Sequence, residues 1–472
     1  MTKPPTLSDP KGMGGVIAQD GFDYQVWDAL IRLPSWLRNP AFEGMALETL
    51  EDLEARFFAP QAPRGHLIDR FQAKSGALTR SDLINVFSAF RTFEASYPHA
   101  ARIQTLVTPG LPPALNWIAR DSGRIRRARP FYSPFSDIRA ASDDELRADL
   151  VSEFGKDLGD FFADNVEISL RVLPDRASAE AAFASALHDS FPNLDISASK
   201  VRAGFSALND LAGRNRGAML TPGQLFDALS ASVGEQLVQP GPFAIHVRST
   251  RNGEVANALE IDASSFSGGQ SGFPHAKRWR EELLVPLEKT AAWARKRNHA
   301  RIALSGSYRL TTAFAIGWAF RSAIGFEIEI PTKAECWPTD EHPAVNASPL
   351  PCTIVRPRNL VHGRLVVAVG VLRDPTPDIR QDRVLHNGDV ILAINLPQAL
   401  TCASDVQSFV RIVKDAVSQE VAHLRPTGID LYYVGPAAFA VALGHRWNAL
   451  PATQLHEFLA RSKSYTPSVE IG

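Results

Sequence analysis

The second half of this 472-residue chain passes twice through the same order of elements. The first pass, 242–330, reads "PFAIHVRS", "ALEIDASSF", a long helical pattern "AKRWREELLVPLEKTAAWARKRN", then "ARIALSG", "LTTAFAIGWAF" and "GFEIEI". The second, 364–459, reads "RLVVAVGV", "DVILAINLP", "SDVQSFVRIVKDAVSQEVAHL", "GIDLYYVG", "AAFAVALGHRWNAL" and "TQLHEFL". Each is strand–strand–helix–strand–helix–strand. In each, an apolar strand ends on a glycine (Gly306, Gly435) and a small-residue helix with an internal glycine (Gly317, Gly444) follows. A repeat of this kind predicts an α/β architecture of two Rossmann-like lobes, about 242–340 and 360–472, facing each other across a pseudo-twofold. The Pro/Gly-rich "VQPGP" (238–242) precedes the first strand, so the boundary of the C-terminal domain is expected at 235/236.

Composition narrows the function classes. Formal net charge is −1, so no global basic field draws the chain to nucleic acid, and any such contact must come from a local patch. Cys336, Cys352 and Cys402 are widely spaced without a metal-ligand pattern, which suits a reducing compartment. The N-terminal "MTKPPTLSDPKGMGG" lacks an apolar signal region, and no apolar run is long enough to span a bilayer. The expectation is a cytoplasmic protein without a membrane partner.

The N-terminal half alternates element types. "FDYQVWDALIRLPSWL" (22–37) has helical spacing, with Phe22, Val26, Trp27 and Leu30 on one stripe. "MALETLEDLEARFF" (45–58) and "HLIDRFQAK" (66–74) read as two strands around the turn "APQAPRG". "SDLINVFSAFRTFEASY" (81–97) reads as a helix with Ser81 or Asp82 near its N-cap, and "RIQTLVTPG" (102–110) as a further strand. From about 140 to 235 the pattern is helical, with a short strand in "NVEISLRVL" (165–173), as a helical extension of an N-terminal domain 1–235 with its core at about 15–115.

Read as one strand, 45–58 sets Glu48 and Asp52 on a common face and Glu51 on the other. The next strand sets Gln72 and Lys74 on a common face. Oxygen ligands beside an ammonium suit metal-dependent hydrolysis of a phosphodiester. Two edge strands with solvated charges would read the same, and on these residues alone that is the better reading. "RDSGRIRRARPF" (120–131) gathers Arg120, Arg124, Arg126, Arg127 and Arg129 in a glycine-containing loop, which is either a phosphate-contacting patch or a solvated charge run.

With "GFDYQ" (21–25) before the acidic strand "LETLEDLEARF" and "FQAKSG" before an amphipathic helix, the first 110 residues resemble the PD-(D/E)xK restriction-endonuclease-like effector domain of anti-phage systems. The resemblance implies Asp52 as the metal-binding acid, Gln72 as the second metal-ligand position in place of the usual acid, and Lys74 as the catalytic lysine. The backbone carbonyl of Ala73 offers another oxygen for Mg²⁺ or Mn²⁺. Gln25, Glu48 and Glu51 complete the catalytic candidates.

"IALSGSYRLTTAFAIGWAF" and "LYYVGPAAFAVALGHRWNALPATQLHEF" make 236–472 resemble the SAVED sensor domain, two fused CARF-like lobes that bind a cyclic oligonucleotide in CBASS defence. Neither glycine turn is a GxGxxG fingerprint, so a dinucleotide cofactor is not supported. By topology, Ser305, Gly306, Ser307, Tyr308 and Arg309 from the first lobe and Gly435 and Pro436 from the second are candidates to touch the ligand. Arg248, Ser249 and Arg373 are candidates to supply phosphate contacts. Trp279, Trp293, Trp318, Trp447, His246 and His445 read as structural. The two resemblances together imply a DNA endonuclease activated when a cyclic oligonucleotide, a trinucleotide in first instance, drives homo-oligomerisation around double-stranded DNA. Two alternatives stay open: a ligand-gated adaptor with a degenerate nuclease fold, and a CRISPR-linked sensor ribonuclease.

Overall fold

The structure is a computed structural model and describes residues 14–49, 52–128, 131, 136–193, 196–233, 242–249, 257–268, 272–332, 335–341, 350–383, 390–460 and 462–472. The chain separates into two compact units, with the main division at Gln239/Pro240. The boundary expected at 235/236 lies outside the described residues.

The first unit opens with α1 (Gly14–Arg38), β1 (Phe42–Leu47), β2 (Leu53–Phe58), β3 (His66–Ala73), α2 (Arg80–Ser96) and β4 (Ala101–Thr108). It continues with α3 (Asn116–Ala128), α4 (Asp137–Phe154), α5 (Lys156–Asn165), β5 (Val166–Leu170), α6 (Arg176–Ser190), α7 (Ala198–Arg214), β6 (Met219–Leu220) and α8 (Pro222–Val233). The strands form one six-stranded sheet in the order β5-β4-β3-β2-β1-β6. β1, β2 and β3 pair antiparallel, while β3, β4 and β5 run parallel. Alternation sorts the two faces. Leu53, Ala55, Phe57, Phe71 and Ala73 join α1 and α6–α8 in one core, and Leu106 joins Leu83, Val86, Phe87 and Phe90 of α2 in another.

Three local readings are corrected here. The stretch 45–58 is a hairpin and not a single strand: β1 ends at Leu47, β2 begins at Leu53, and the Glu48 N–H donates to the Asp52 carbonyl at 3.1 Å. Glu48 takes a left-handed φ of 52°, which turns the chain and takes Glu48 and Asp52 off a shared strand face. The N-cap of α2 is Thr79, and Asp82 is the N3 residue of a capping box. The arginine cluster lies on α3, not in a loop; Gly123 is accommodated within the helix, and Arg129 lies outside the described residues.

The second unit begins with β7 (Phe243–Arg248), β8 (Leu259–Asp262) and α9 (Ala276–Arg278), which runs through a π-helical stretch at Trp279–Leu284 into α10 (Val285–Lys296). Then come β9 (Arg301–Ser307), α11 (Leu310–Ala319), β10 (Glu327–Pro331) and β11 (Cys336–Pro338). The remainder is β12 (Thr353–Val355), β13 (Arg364–Val371), α12 (Thr376–Arg383), β14 (Ile391–Leu396), α13 (Ala403–Leu424), β15 (Gly428–Val434), α14 (Ala437–Arg446), β16 (Thr453–Leu459) and β17 (Ser464–Ile471). The two sheets run β11-β10-β9-β7-β8 and β12-β14-β13-β15-β16-β17. Matched by position in the repeat, β10-β9-β7-β8 and β16-β15-β13-β14 have the same order, and each carries an antiparallel strand on the same edge, β11 or β17. The repeat read in the sequence is a repeat of topology.

The lobes meet through equivalent helices. α11 and α14 follow the equivalent strands β9 and β15, and Gly317 and Gly444 are each the eighth residue of their helix. A Cβ on Gly317 would collide with the Val441 carbonyl, and one on Gly444 with the Phe314 carbonyl. Two glycines therefore let the helix backbones touch, and the symmetry of the contact is that of the pseudo-twofold.

Candidate active site and sensor lobes

Register builds the candidate site. β2 and β3 pair up to Leu53↔Phe71, so one step further Asp52 stands opposite Gln72, with both side chains on the α2 face. The Ala73 N–H donates to Asp52 Oδ2 at 2.7 Å, and the Lys74 N–H donates to the Val107 carbonyl at 2.9 Å. The second bond extends β3 beyond its last residue and keeps Lys74 in alternation with Gln72.

A cavity of 660 Å³ opens at this end of the sheet. Asp52, Gln72, Ala73 and Lys74 form its floor, Gly21 and Gln25 of α1 one wall, and Asp82, Asn85 and Val86 of α2 the other. Burial raises the Asp52 carboxyl above the usual aspartate range, while the Ala73 N–H and the Lys74 charge pull it back. The Gln25 Oε1 is buried without a hydrogen-bond partner among the described residues. An acid held against its burial cost and an oxygen with no donor both invite a cation or its water shell.

The donor set is oxygen only, which suits Mg²⁺ or Mn²⁺ over zinc. Among the described residues no group of three or more His, Cys, Asp or Glu is arranged to hold a metal. One carboxylate with amide and carbonyl oxygens is a sparse set, and Mg²⁺ commonly completes such a set with water and substrate phosphate. Asp52, Gln72 and the Ala73 carbonyl are the residues that fit it.

Glu48 does not line the cavity. It pairs loosely with Arg216 at 4.0 Å, although its charge reaches Asp52 and adds to the rise of that carboxyl. Glu51 lies outside the described residues. Asp82 and Asn85, which sequence reasoning treated as helix residues, are in the cavity wall; the "TRSD" box at 79–82 was the available signal, since it fixes where α2 begins. The α3 arginines are partly committed within the unit: Arg120 and Arg124 to Asp121, Arg126 to Glu167 at 2.7 Å.

In the second unit, Ser305, Gly306 and Ser307 are the last residues of β9. Gly306 has φ +98° and faces the Val247 carbonyl so closely that a Cβ would overlap it. His246 Nδ1 meets Ser305 Oγ at 3.0 Å, and Ser249 Oγ donates to the Ser307 carbonyl. Arg248 pairs with Glu260 at 2.6 Å and Asp262 at 2.9 Å. Arg309 donates to the Ser267 carbonyl at 2.7 Å, and burial raises the Tyr308 hydroxyl. In the second lobe the buried Tyr433 hydroxyl donates to the Pro436 carbonyl at 2.7 Å, which shapes the Gly435–Pro436 turn, and Arg373 pairs with Asp378. The start of α11 is already capped across the lobes: the Thr311 N–H donates to Glu457 Oε1 at 2.8 Å. His445 is buried and donates from Nδ1 to the Phe320 carbonyl, with burial lowering its pKa to about 4, so its reading as structural fits.

Comparison with known proteins sharpens the second unit. Residues 287–471 match the family model "SMODS-associated and fused to various effectors sensor domain", SAVED. The chain is 22% identical to CD-NTase-associated protein 4 of an Acinetobacter species, over 99% of each chain. The Acinetobacter baumannii Cap4 SAVED/CARF-domain containing receptor, solved with the cyclic trinucleotide 3'3'3'-cAAA, superposes with a TM-score of 0.77 at 20% identity, covering 95% of this chain and 98% of that one. The same receptor with 2'3'3'-cAAA gives 0.76. The SAVED resemblance of the second unit and the α/β fold class read from the sequence are borne out: residues 287–471 match the SAVED model, and the chain shares the fold of the Cap4 SAVED/CARF-domain receptors. No described helix is long and apolar enough to cross a membrane.

Proposed function

We propose that this chain, whose second unit carries a SAVED sensor domain, is a second-messenger-activated endonuclease that cuts double-stranded DNA. The observation that carries the reading is the convergence of Asp52, Gln72 and Lys74 on one 660 Å³ cavity at the end of β3. A cyclic trinucleotide, the ligand class bound in the solved Acinetobacter baumannii receptor, is the activator, and assembly of ligand-bound copies on DNA adds avidity.

Asp52, Gln72 and the Ala73 carbonyl would hold Mg²⁺ or Mn²⁺, which supplies electrostatic stabilisation of charge building on the scissile phosphate. The chain's own part is to orient and to neutralise. The Ala73 N–H fixes the Asp52 carboxylate, and Lys74 presents an ammonium where the attacking water and the phosphate meet. The α2 wall shields the site on one side.

The test is plasmid cleavage by the full chain with Mg²⁺ and a panel of cyclic oligonucleotides. Ligand-dependent cutting that disappears in Lys74→Ala is expected; ligand-independent cutting, or full activity in Lys74→Ala, would refute the proposal. RNA in place of plasmid separates the ribonuclease alternative. The sparse acidic set at the cavity favours one rival, the ligand-gated adaptor with an inert nuclease fold. Mg²⁺-dependent thermal stabilisation that vanishes in Asp52→Ala argues against that rival.

A further inference from the structure

The segment between α7 and β6 comes from the helical extension, yet it reaches the hairpin turn that carries Asp52. α7 ends at Arg214, and the Gly217 N–H then donates at 2.8 Å to the carbonyl of Leu47, the last residue of β1. Pairing of β6 with β1 follows directly. The segment is thereby tied to the turn in which the Glu48 N–H donates to the Asp52 carbonyl at 3.1 Å.

Arg216 stands in this segment with its side chain 44% exposed. Its guanidinium carbon lies 3.4 Å from the centre of the Phe22 ring, and Phe22 belongs to the turn of α1 whose Gly21 and Gln25 wall the cavity. Stacking on a buried ring fixes the guanidinium plane and leaves its N–H edge open to a further acceptor. Glu48 is that acceptor at present, and a poor one: the two charges are 4.0 Å apart, beyond hydrogen-bond range, and Glu48 is 43% exposed. An exposed pair of this kind contributes little in water, so the arginine is held by the ring more than by the acid.

A planar guanidinium with an open edge matches the paired oxygens of a phosphodiester. Duplex DNA carries a charge about every 1.7 Å of its axis, so a strand seated at Asp52 and Lys74 brings further phosphates past the hairpin turn. We propose that Arg216 binds a backbone phosphate of duplex DNA beside the scissile one, and that Glu48 is the counter-ion it exchanges for that phosphate. The inference rests on the nuclease reading. It gives the helical extension a contact with substrate, and it gives Glu48 a part in substrate exchange in place of a part in metal binding.

Binding of a short fluorescein-labelled DNA duplex to the full chain tests this, read by anisotropy across a salt series in chelator, with and without 3'3'3'-cAAA. Arg216→Gln is expected to raise Kd about tenfold at low salt and to reduce the slope of log Kd against log salt by about one. An arginine with only a structural role would lower the melting temperature and leave that slope as it was. Arg216→Lys keeps the slope but binds more weakly than the natural chain, because an ammonium forms no bidentate pair. Glu48→Gln should tighten binding by up to about fivefold, and the gain should vanish in the Arg216→Gln background. In Mg²⁺-dependent plasmid cleavage, Arg216→Gln raises KM and leaves kcat close to that of the natural chain. Natural Kd and slope in Arg216→Gln, in a protein whose Lys74→Ala variant no longer cuts, would overturn the inference and leave the nuclease reading standing. A Glu48→Gln gain that persists without Arg216 means that the acid repels DNA by itself, which overturns the exchange. Duplex RNA bound in place of DNA, with the same loss of slope, overturns the assignment to DNA. A natural chain that neither binds nor cuts DNA sinks the nuclease reading and the inference with it.

Discussion

Gln72 is the residue at which this site departs from a two-acid metal centre, and its position opposite Asp52 makes the consequence testable. A neutral amide oxygen contributes less to a divalent cation than a carboxylate, so metal affinity is expected to be modest. Gln72→Glu adds a second carboxylate beside Asp52. Without metal the two acids repel and the unit loses stability; with metal the repulsion becomes attraction. The expected outcome is a lower melting temperature for Gln72→Glu in chelator and a larger Mg²⁺-induced rise than in the natural chain, read by differential scanning fluorimetry. Gln72→Ala should show a smaller rise than either. Identical Mg²⁺ responses in all three proteins would mean that position 72 does not face a metal. The pair was legible from the sequence because Gln-x-Lys needs only strand alternation to share a face. Asp52 itself was placed by family resemblance, and its true partner geometry needed the hairpin: the left-handed Glu48 that ends β1 carries no apolar periodicity to announce it.

Among the elements, α11 shows how the lobes are joined by more than apolar packing. The Thr311 N–H in its first turn has no acceptor within the helix, and the Glu457 carboxyl of β16 meets it from the other lobe. Thr311 Oγ1 and Ser468 Oγ add a buried contact at 2.9 Å. Burial raises the Glu457 carboxyl above its ordinary value, only partly offset by the Thr311 bonds and Arg309. A raised folded-state pKa means the native state holds the proton over a pH range in which the unfolded chain has released it. Stability from this group is therefore complete below the unfolded value and falls as pH rises through the folded one. Glu457→Gln keeps an acceptor for Thr311 and removes the titration. Its melting temperature should lose the part of the decline with rising pH that the natural chain shows above the ordinary glutamate range. Glu457→Ala leaves a buried N–H unmet and should cost about 1–2 kcal/mol, or a few degrees, at every pH. An unchanged pH slope in Glu457→Gln would remove Glu457 from this role. Elements of this kind divide sharply in how legible they are. The repeated strands and helices were plain from pattern alone, because apolar strands buried on both faces read as runs such as "RLVVAVGV". β11, β12 and β17 were missed: the first two are three-residue edge strands, and β17 carries Pro467 within it, so no run of apolar residues marks them. The arginines of α3 were misread as a loop because Gly123 and a dense charge outweighed a weak apolar stripe.

At the scale of the whole molecule, the SAVED match and the proposed cleavage site belong to different units, which makes the proposed sensing and cutting separable by mutation. A ligand that binds only the folded sensor stabilises it by mass action, about 2.7 kcal/mol at a hundred times its Kd. For a unit of this size that corresponds to a rise of several degrees, at about 2–4 °C per kcal/mol. Lys74 lies in the first unit, so Lys74→Ala should keep the full ligand-induced rise while losing ligand-dependent cleavage by about 10²–10³-fold. The converse variant is Gly317→Val. Its side chain would drive into the Val441 carbonyl where α11 and α14 cross, with an overpacking cost of about 1–3 kcal/mol. That substitution leaves the Asp52–Lys74 cavity untouched and strains only the crossing of the two lobes. If ligand acts by setting that crossing, Gly317→Val should weaken the ligand-induced melting shift and abolish ligand-dependent cutting together, while Mg²⁺ stabilisation of the first unit stays as in the natural chain. Cleavage that survives in Gly317→Val with its ligand response lost would mean that the lobe crossing is not the route by which binding reaches the nuclease.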